Sequence, residues 1–153
     1  MSFYKIFLFL LSACVLFACA KTPPSSPLET LKAYTAAIKK KDTTTMKLLL
    51  SDASIKMAEQ EAKAQNVTLD DIVKRETLFS EGQTTVEIRN QKIEGDKATI
   101  EVKNSFNTWD IVPFVKEDSV WKIDKQSIAN QMMQGFDEKN KELDNIINQG
   151  GQP

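Results

Sequence analysis

Between Ser26 and Asp124 the hydrophobic period of this chain changes once, and that change restricts the folds open to it. Before Gly82 the apolar residues recur at three- and four-residue spacing; after it they alternate. Helices therefore come first and antiparallel strands joined by short turns come after, which makes the domain α+β.

The first helix opens at Ser26-Pro27-Leu28-Glu29, where Ser26 can accept from the Glu29 amide and Pro27 takes the tolerated first helical position. Leu28, Leu31, Tyr34 and Ile38 form its apolar face, and Lys39-Lys40-Lys41 sit against the negative end of its dipole. Asp42 or Thr43 caps a second short helix through Met46, Leu49 and Leu50, and a half-exposed helix over Ser54 to Gln65 carries only Ile55, Ala58 and Ala62. Thr68 caps a fourth, with Leu69, Ile72 and Val73 facing inward. Asp70 and Asp71 are adjacent, so they point in different directions on a helix; they read as first-turn acids rather than metal ligands.

The first strand runs from Val86 and Ile88 to Ile93 with a shift of apolar phase that predicts a bulge. Glu94-Gly95-Asp96-Lys97 turns it into Ala98, Ile100 and Val102, a half-buried strand, and Asn104 to Asn107 is the next turn. The strand over Thr108 to Lys116 holds Trp109, Ile111, Val112, Phe114 and Val115, with Pro113 predicting an edge or bulge. Glu117-Asp118-Ser119 leads to the last strand, Val120 to Asp124. A helix follows over Gln126 to Gln149, ended by Gly150-Gly151, with Met133, Phe136, Asn140, Leu143 and Ile147 at heptad-like spacing. Two readings of that seam are open: docking on the domain's own surface, or contact with a second copy or another protein.

Composition narrows the chemistry. The chain has no histidine, which removes His-based triads and most zinc sites. No cofactor or metal is expected. Acidic and basic residues nearly balance, which argues against nucleic acid as a partner.

The N-terminus resembles a bacterial lipoprotein signal: Lys5, an apolar run from Ile6, then Leu16-Phe17-Ala18-Cys19 before a Pro/Ser-rich stretch. The run from Ile6 to Ala20 is about 15 residues, short of the ~20 a membrane-spanning helix needs. Leu11-Ser12-Ala13-Cys14 is a second match, but cutting there would leave apolar Val15-Leu16-Phe17 at the new terminus. The resemblance implies removal of residues 1–18, lipidation at Cys19, a cell-envelope address and a mature chain without free thiols. The partner it implies is the membrane itself, through the acyl chains. Ala20 after the cysteine favours the outer membrane, facing the periplasm, if the cell is Gram-negative. Residues 19–25 then form a tether, and Thr22 to Pro27 in extended polyproline geometry holds the domain on the order of 20 Å from the lipid.

Ser26 to Tyr34 with Lys39-Lys40-Lys41-Asp42, then Gly95 to Ile100, then Val115 to Asp124, resemble bacterial lipoproteins of the nuclear-transport-factor-two-like (lumazine-binding-like) superfamily. The resemblance covers residues 26–124, leaving 125–153 as a C-terminal helical extension, and implies a cone in which N-terminal helices close over a curved antiparallel sheet. Lys41 and Ser119 stand where that family often has glycine, which bears on turn geometry. Such cones enclose a small apolar ligand or support proton-transfer chemistry. Tyr34, Trp109, Asp110, Phe114 and Trp121 are the ligand-site candidates, with Tyr34 and Asp110 nearest in type to the Asp/Glu and Tyr groups of an isomerase or dehydratase. Met133, Phe136, Leu143 and Ile147 are the interaction-helix candidates. The expectation that follows is a non-enzymatic binding or interaction module for a small apolar ligand, a second copy or an envelope protein, with the cavity enzyme as alternative.

Overall fold

The computed structural model describes residues 24, 26–79 and 86–150. The expected signal segment, Cys19, most of the expected tether and Gly82 lie outside the described residues.

Among the described residues, five helices and four strands follow in the expected order: α1 Pro27–Lys40, α2 Thr43–Leu48, α3 Asp52–Gln65, α4 Leu69–Arg75, β1 Ile88–Glu94, β2 Lys97–Lys103, β3 Trp109–Glu117, β4 Val120–Ile123 and α5 Lys125–Gly150. Each early helix starts on a side-chain cap. Ser26 accepts from the Glu29 amide at 3.2 Å, Asp42 from that of Thr45 at 3.0 Å, and Thr68 forms a reciprocal capping box with Asp71. The third helix begins at Asp52 on Ser51, earlier than its apolar stripe indicated. Lys41 closes α1 in the left-handed conformation at φ 55°, and the Lys41 and Asp42 amides donate to the carbonyls of Ile38 and Ala37, each at 3.0 Å.

The sheet is antiparallel throughout, in the order β1-β2-β3-β4. The β1–β2 register slips between Arg89 and Lys92, the bulge that the apolar phase predicted, with Asn90 at φ 50°. Gly95, at φ 61°, opens the two-residue turn that follows. Asp118 and Ser119 both have positive φ in the two-residue turn between β3 and β4, so the two glycine-like positions, Lys41 and Ser119, are turn positions that an L-residue fills at some strain. Of the edge or bulge that Pro113 predicts, the structure shows the edge: the β2–β3 register runs through it without a bulge, Thr99 facing Pro113. The proline is accommodated because β4 pairs with β3 only from Phe114 onward, leaving β3 before that point with a neighbour on one side.

Alternation along the strands sorts the sheet into two faces. Ala98, Ile100, Val102, Val112, Phe114, Trp121 and Ile123 point inward and are buried, and α1 lays Leu31, Tyr34, Ala37 and Ile38 on them. Met46, Leu49, Leu50, Val73 and Phe79 complete this core, while Ala58, Ala62 and Ile72 form a small satellite between α3 and α4. Residues 49–51 run beside the free edge of β4: the Ile123 amide donates to the Leu49 carbonyl at 2.8 Å and the Ser51 amide to the Ile123 carbonyl at 2.9 Å. That edge is thereby closed to strand addition.

Candidate functional site

Three places bear on function: the interior around Tyr34, a cleft at the start of β3, and the length of α5.

Tyr34 is fully buried on the inward face of α1. Its hydroxyl faces the Leu78 backbone but completes no hydrogen bond of good geometry with any described residue. Desolvation pushes the phenol well above its ordinary pKa, so it stays protonated at any physiological pH. Phe114 and Trp121 are buried beside it in the same core, with the Lys116 ammonium 5.7 Å from the Trp121 ring. All three side chains belong to the buried hydrophobic core.

Trp109 and Asp110 stand elsewhere. A half-open cleft of about 550 Å³ lies between the first half of β3, residues 77–79 and the opening turns of α5, lined by Trp109, Asp110, Phe79, Ile128 and Met132 among others. The Trp109 ring is on the outward face, stacked beneath the Arg89 guanidinium at 3.9 Å with the Lys103 ammonium at 6.0 Å. Asp110 shares the inward face with Val102 by register, but at its exposed mouth, and accepts from the Asn104 side-chain amide at 3.0 Å. The five ligand candidates are therefore not one site: two line the cleft, and Tyr34 and Trp121 are absent from its wall. Phe114 borders a smaller hollow of about 310 Å³ towards Lys97 and Ser127. A proton-transfer pair needs a desolvated carboxylate within reach of its donor; here the carboxylate is solvated and the phenol is in the core.

Asp70 and Asp71 both engage neighbouring side chains. Asp70 accepts from Thr43 at 3.1 Å and pairs with Lys47, which keeps its carboxyl below the usual range and joins α2 to α4; Asp71 is engaged by Thr68.

The base of α5 is fastened by groups that carry no sequence signal. Ser51 and Ser54 are buried, their hydroxyls 2.7 Å apart; the Ser54 hydroxyl meets the Ile123 carbonyl at 3.3 Å and accepts from the Lys125 amide at 2.8 Å. The Lys125 ammonium donates to the Glu76 carbonyl at 2.6 Å and lies 3.9 Å from the Glu76 carboxylate. Burial lowers the Lys125 pKa and raises that of Glu76, the latter with help from neighbouring Glu61. Asp124 caps the helix through the Ser127 amide and hydroxyl.

Beyond these first turns α5 leaves the domain. Every residue from Asn130 to Asn148 is exposed, and Met132, Met133, Phe136, Leu143, Ile146 and Ile147 are between 55% and 69% accessible. Past the opening turns the four interaction-helix candidates share a face that no described residue covers. Isolated monomeric protein would rarely present such a stripe. No helix among the described residues is long and apolar enough to cross a membrane.

The family described as "Protein of unknown function (DUF2950)" matches residues 22–146, most of the chain and including the greater part of α5. Among solved structures, the chain is similar to a Campylobacter jejuni protein described as a "putative NTF2-like transpeptidase", at 17% identity and a TM-score of 0.41 over 65% of this chain and 98% of that one. No curated protein matches in sequence.

Proposed function

The chain belongs to the DUF2950 family, and we propose that it is a lipid-anchored protein of the bacterial envelope, without enzymatic activity of its own, whose folded domain presents α5 as a protein-interaction limb. The observation that carries this reading is the contrast between aromatic candidates buried in the core and a helix that no described residue covers. The domain buries Tyr34, Phe114 and Trp121 as core, while α5 spends its apolar residues on a face open to solvent. An apolar stripe of this size is stable in water only when something covers it for part of its life. Lipidation at Cys19 and the tether after it supply the address, with the outer membrane favoured by Ala20. In its finer architecture the domain is read as a nuclear-transport-factor-two-like cone, on the strength of helices that precede the sheet and of α1 lying across its inward face.

The cleft at Trp109 supports a second reading, a small apolar ligand, because its volume falls in the range such ligands occupy. The isomerase-like alternative has less support, since Asp110 is exposed and hydrogen-bonded to a neutral amide.

Substituting Phe136 and Leu143 together with glutamate tests the limb directly. Both lie on the exposed stretch, so the melting temperature of the protein purified from its own membrane should stay within about 3 °C of wild type. The oligomeric state or the set of co-purifying proteins should change. A fall of roughly 10 °C or more with unchanged assembly would assign the helix to the domain's own core.

A further inference from the structure

The seam of α5 specifies more than stickiness. Placing Met133, Asn140 and Ile147 at heptad position a puts Ala129, Phe136 and Leu143 at d. Met132, Lys139 and Ile146 then fall at g, and Asp137 and Asp144 at e. Gly135 falls at c, on the outer side, where a Cβ would meet nothing within 4 Å, so the glycine does not interrupt the seam. From Ala129 to Ile147 the face runs about 27 Å at 1.5 Å per residue.

The polar residues along this face discriminate between partners. In a parallel pair of identical helices each g residue faces the e residue five positions on in the other helix. Lys139 then meets Asp144 of the second copy, and by symmetry the attraction occurs twice. In an antiparallel pair e faces e, which sets Asp137 and Asp144 against one another. Asn140, alone among polar residues at a and d, would face itself in the parallel arrangement, where one amide donates and the other accepts. A single asparagine at a is the established means by which short coiled coils fix register and two-strandedness. Parallel pairing also keeps both N-termini on one side, as two chains anchored in the same membrane require. The local concentration from that anchoring, on the order of millimolar for short tethers, offsets the shortness of the seam.

We propose that α5 pairs in parallel with α5 of a second copy of this chain, Asn140 against Asn140 and Lys139 against Asp144; the proposal rests on the reading of α5 as an interaction limb and names its partner.

The test is sedimentation of the full-length protein, purified from its own membrane in detergent, as wild type, Lys139→Glu, Asp144→Lys and the two combined, with folding checked by melting temperature. Wild type should show a concentration-dependent monomer–dimer equilibrium. Each single variant, which turns two attractions into two repulsions, should weaken it roughly tenfold. The combined variant should restore it. In parallel, Asn140→Cys should oxidise to a disulfide-linked dimer and Gly135→Cys should not. A dimer indifferent to the single charge changes, or not restored by the combination, overturns the parallel register. A wild type monomeric at all concentrations overturns self-pairing; if the Phe136→Glu, Leu143→Glu variant then loses another protein, the limb reading survives, and if it loses nothing, both fall.

Discussion

Replacing Tyr34 with phenylalanine is expected to stabilise the domain by about 1 kcal/mol, whereas replacing it with alanine should cost about 3–5 kcal/mol. The contrast follows from the side chain's position. The ring is fully buried among Leu31, Ile38 and Phe114, so its removal leaves a cavity in a close-packed core. The hydroxyl is buried without a completed hydrogen bond among the described residues, and an unsatisfied group of this kind opposes folding by roughly 1–3 kcal/mol. Chemical denaturation measures both. Against a typical total of about 5–15 kcal/mol, the alanine variant should be folded only marginally. If phenylalanine instead destabilised the protein by a kilocalorie or more, the hydroxyl would have a real partner in the folded state, and the case for Tyr34 as a functional donor would reopen.

Ser54→Ala is the second large effect. It deprives the half-buried Lys125 amide of its acceptor and the buried Ser51 hydroxyl of one of its two partners, the residue-54 amide remaining, at a combined cost of about 2 kcal/mol. The substitution removes one oxygen and no apolar bulk, so packing loss contributes little. The loss should appear with a local signature: amide exchange at the first turn of α5 should accelerate more than at Ile100 or Val102 in the sheet. A stability within about 0.5 kcal/mol of wild type would mean that the serine pair is not what holds α5 to α3.

The parts of the fold legible in the sequence were those with a local physical cause. Ser26, Asp42 and Thr68 announce helix starts because an oxygen three residues ahead of an orphan amide has the same use wherever it occurs. The bulge in β1 showed as a slip of apolar phase, since one added residue moves every later side chain to the other face. Lys41 and Ser119 could be singled out only through the resemblance to a family with glycine there; lysine and serine give no hint of positive φ by themselves. Pro113 left edge and bulge open in the sequence, because the length of β4 decides which part of β3 has two neighbours, and that is a tertiary fact. Ser51 and Ser54 were illegible for a related reason: a small hydroxyl looks alike on a surface and in a buried network.

The candidate site divided along the same line. Aromatic residues on strands mark burial before they mark a cavity, and register then separated Trp109 on one face from Phe114 and Trp121 on the other. The stripe on α5 was visible in full, yet an identical stripe would serve for docking on the chain's own domain. The exposure of the helix among the described residues after its first turns is a tertiary fact that the stripe itself does not carry.

Hydrogen exchange along α5 in the intact protein, read at the lowest workable concentration, tests most directly whether the domain leaves this helix for a partner. A single helix without tertiary cover is marginal in water, so residues 131–148 should exchange far faster than residues 125–129, which the Ser54 and Glu76 contacts hold, and should gain protection as concentration rises. Protection of residues 131–148 equal to that of the sheet core at the lowest concentration would contradict the account, because it would place the seam of α5 against its own domain.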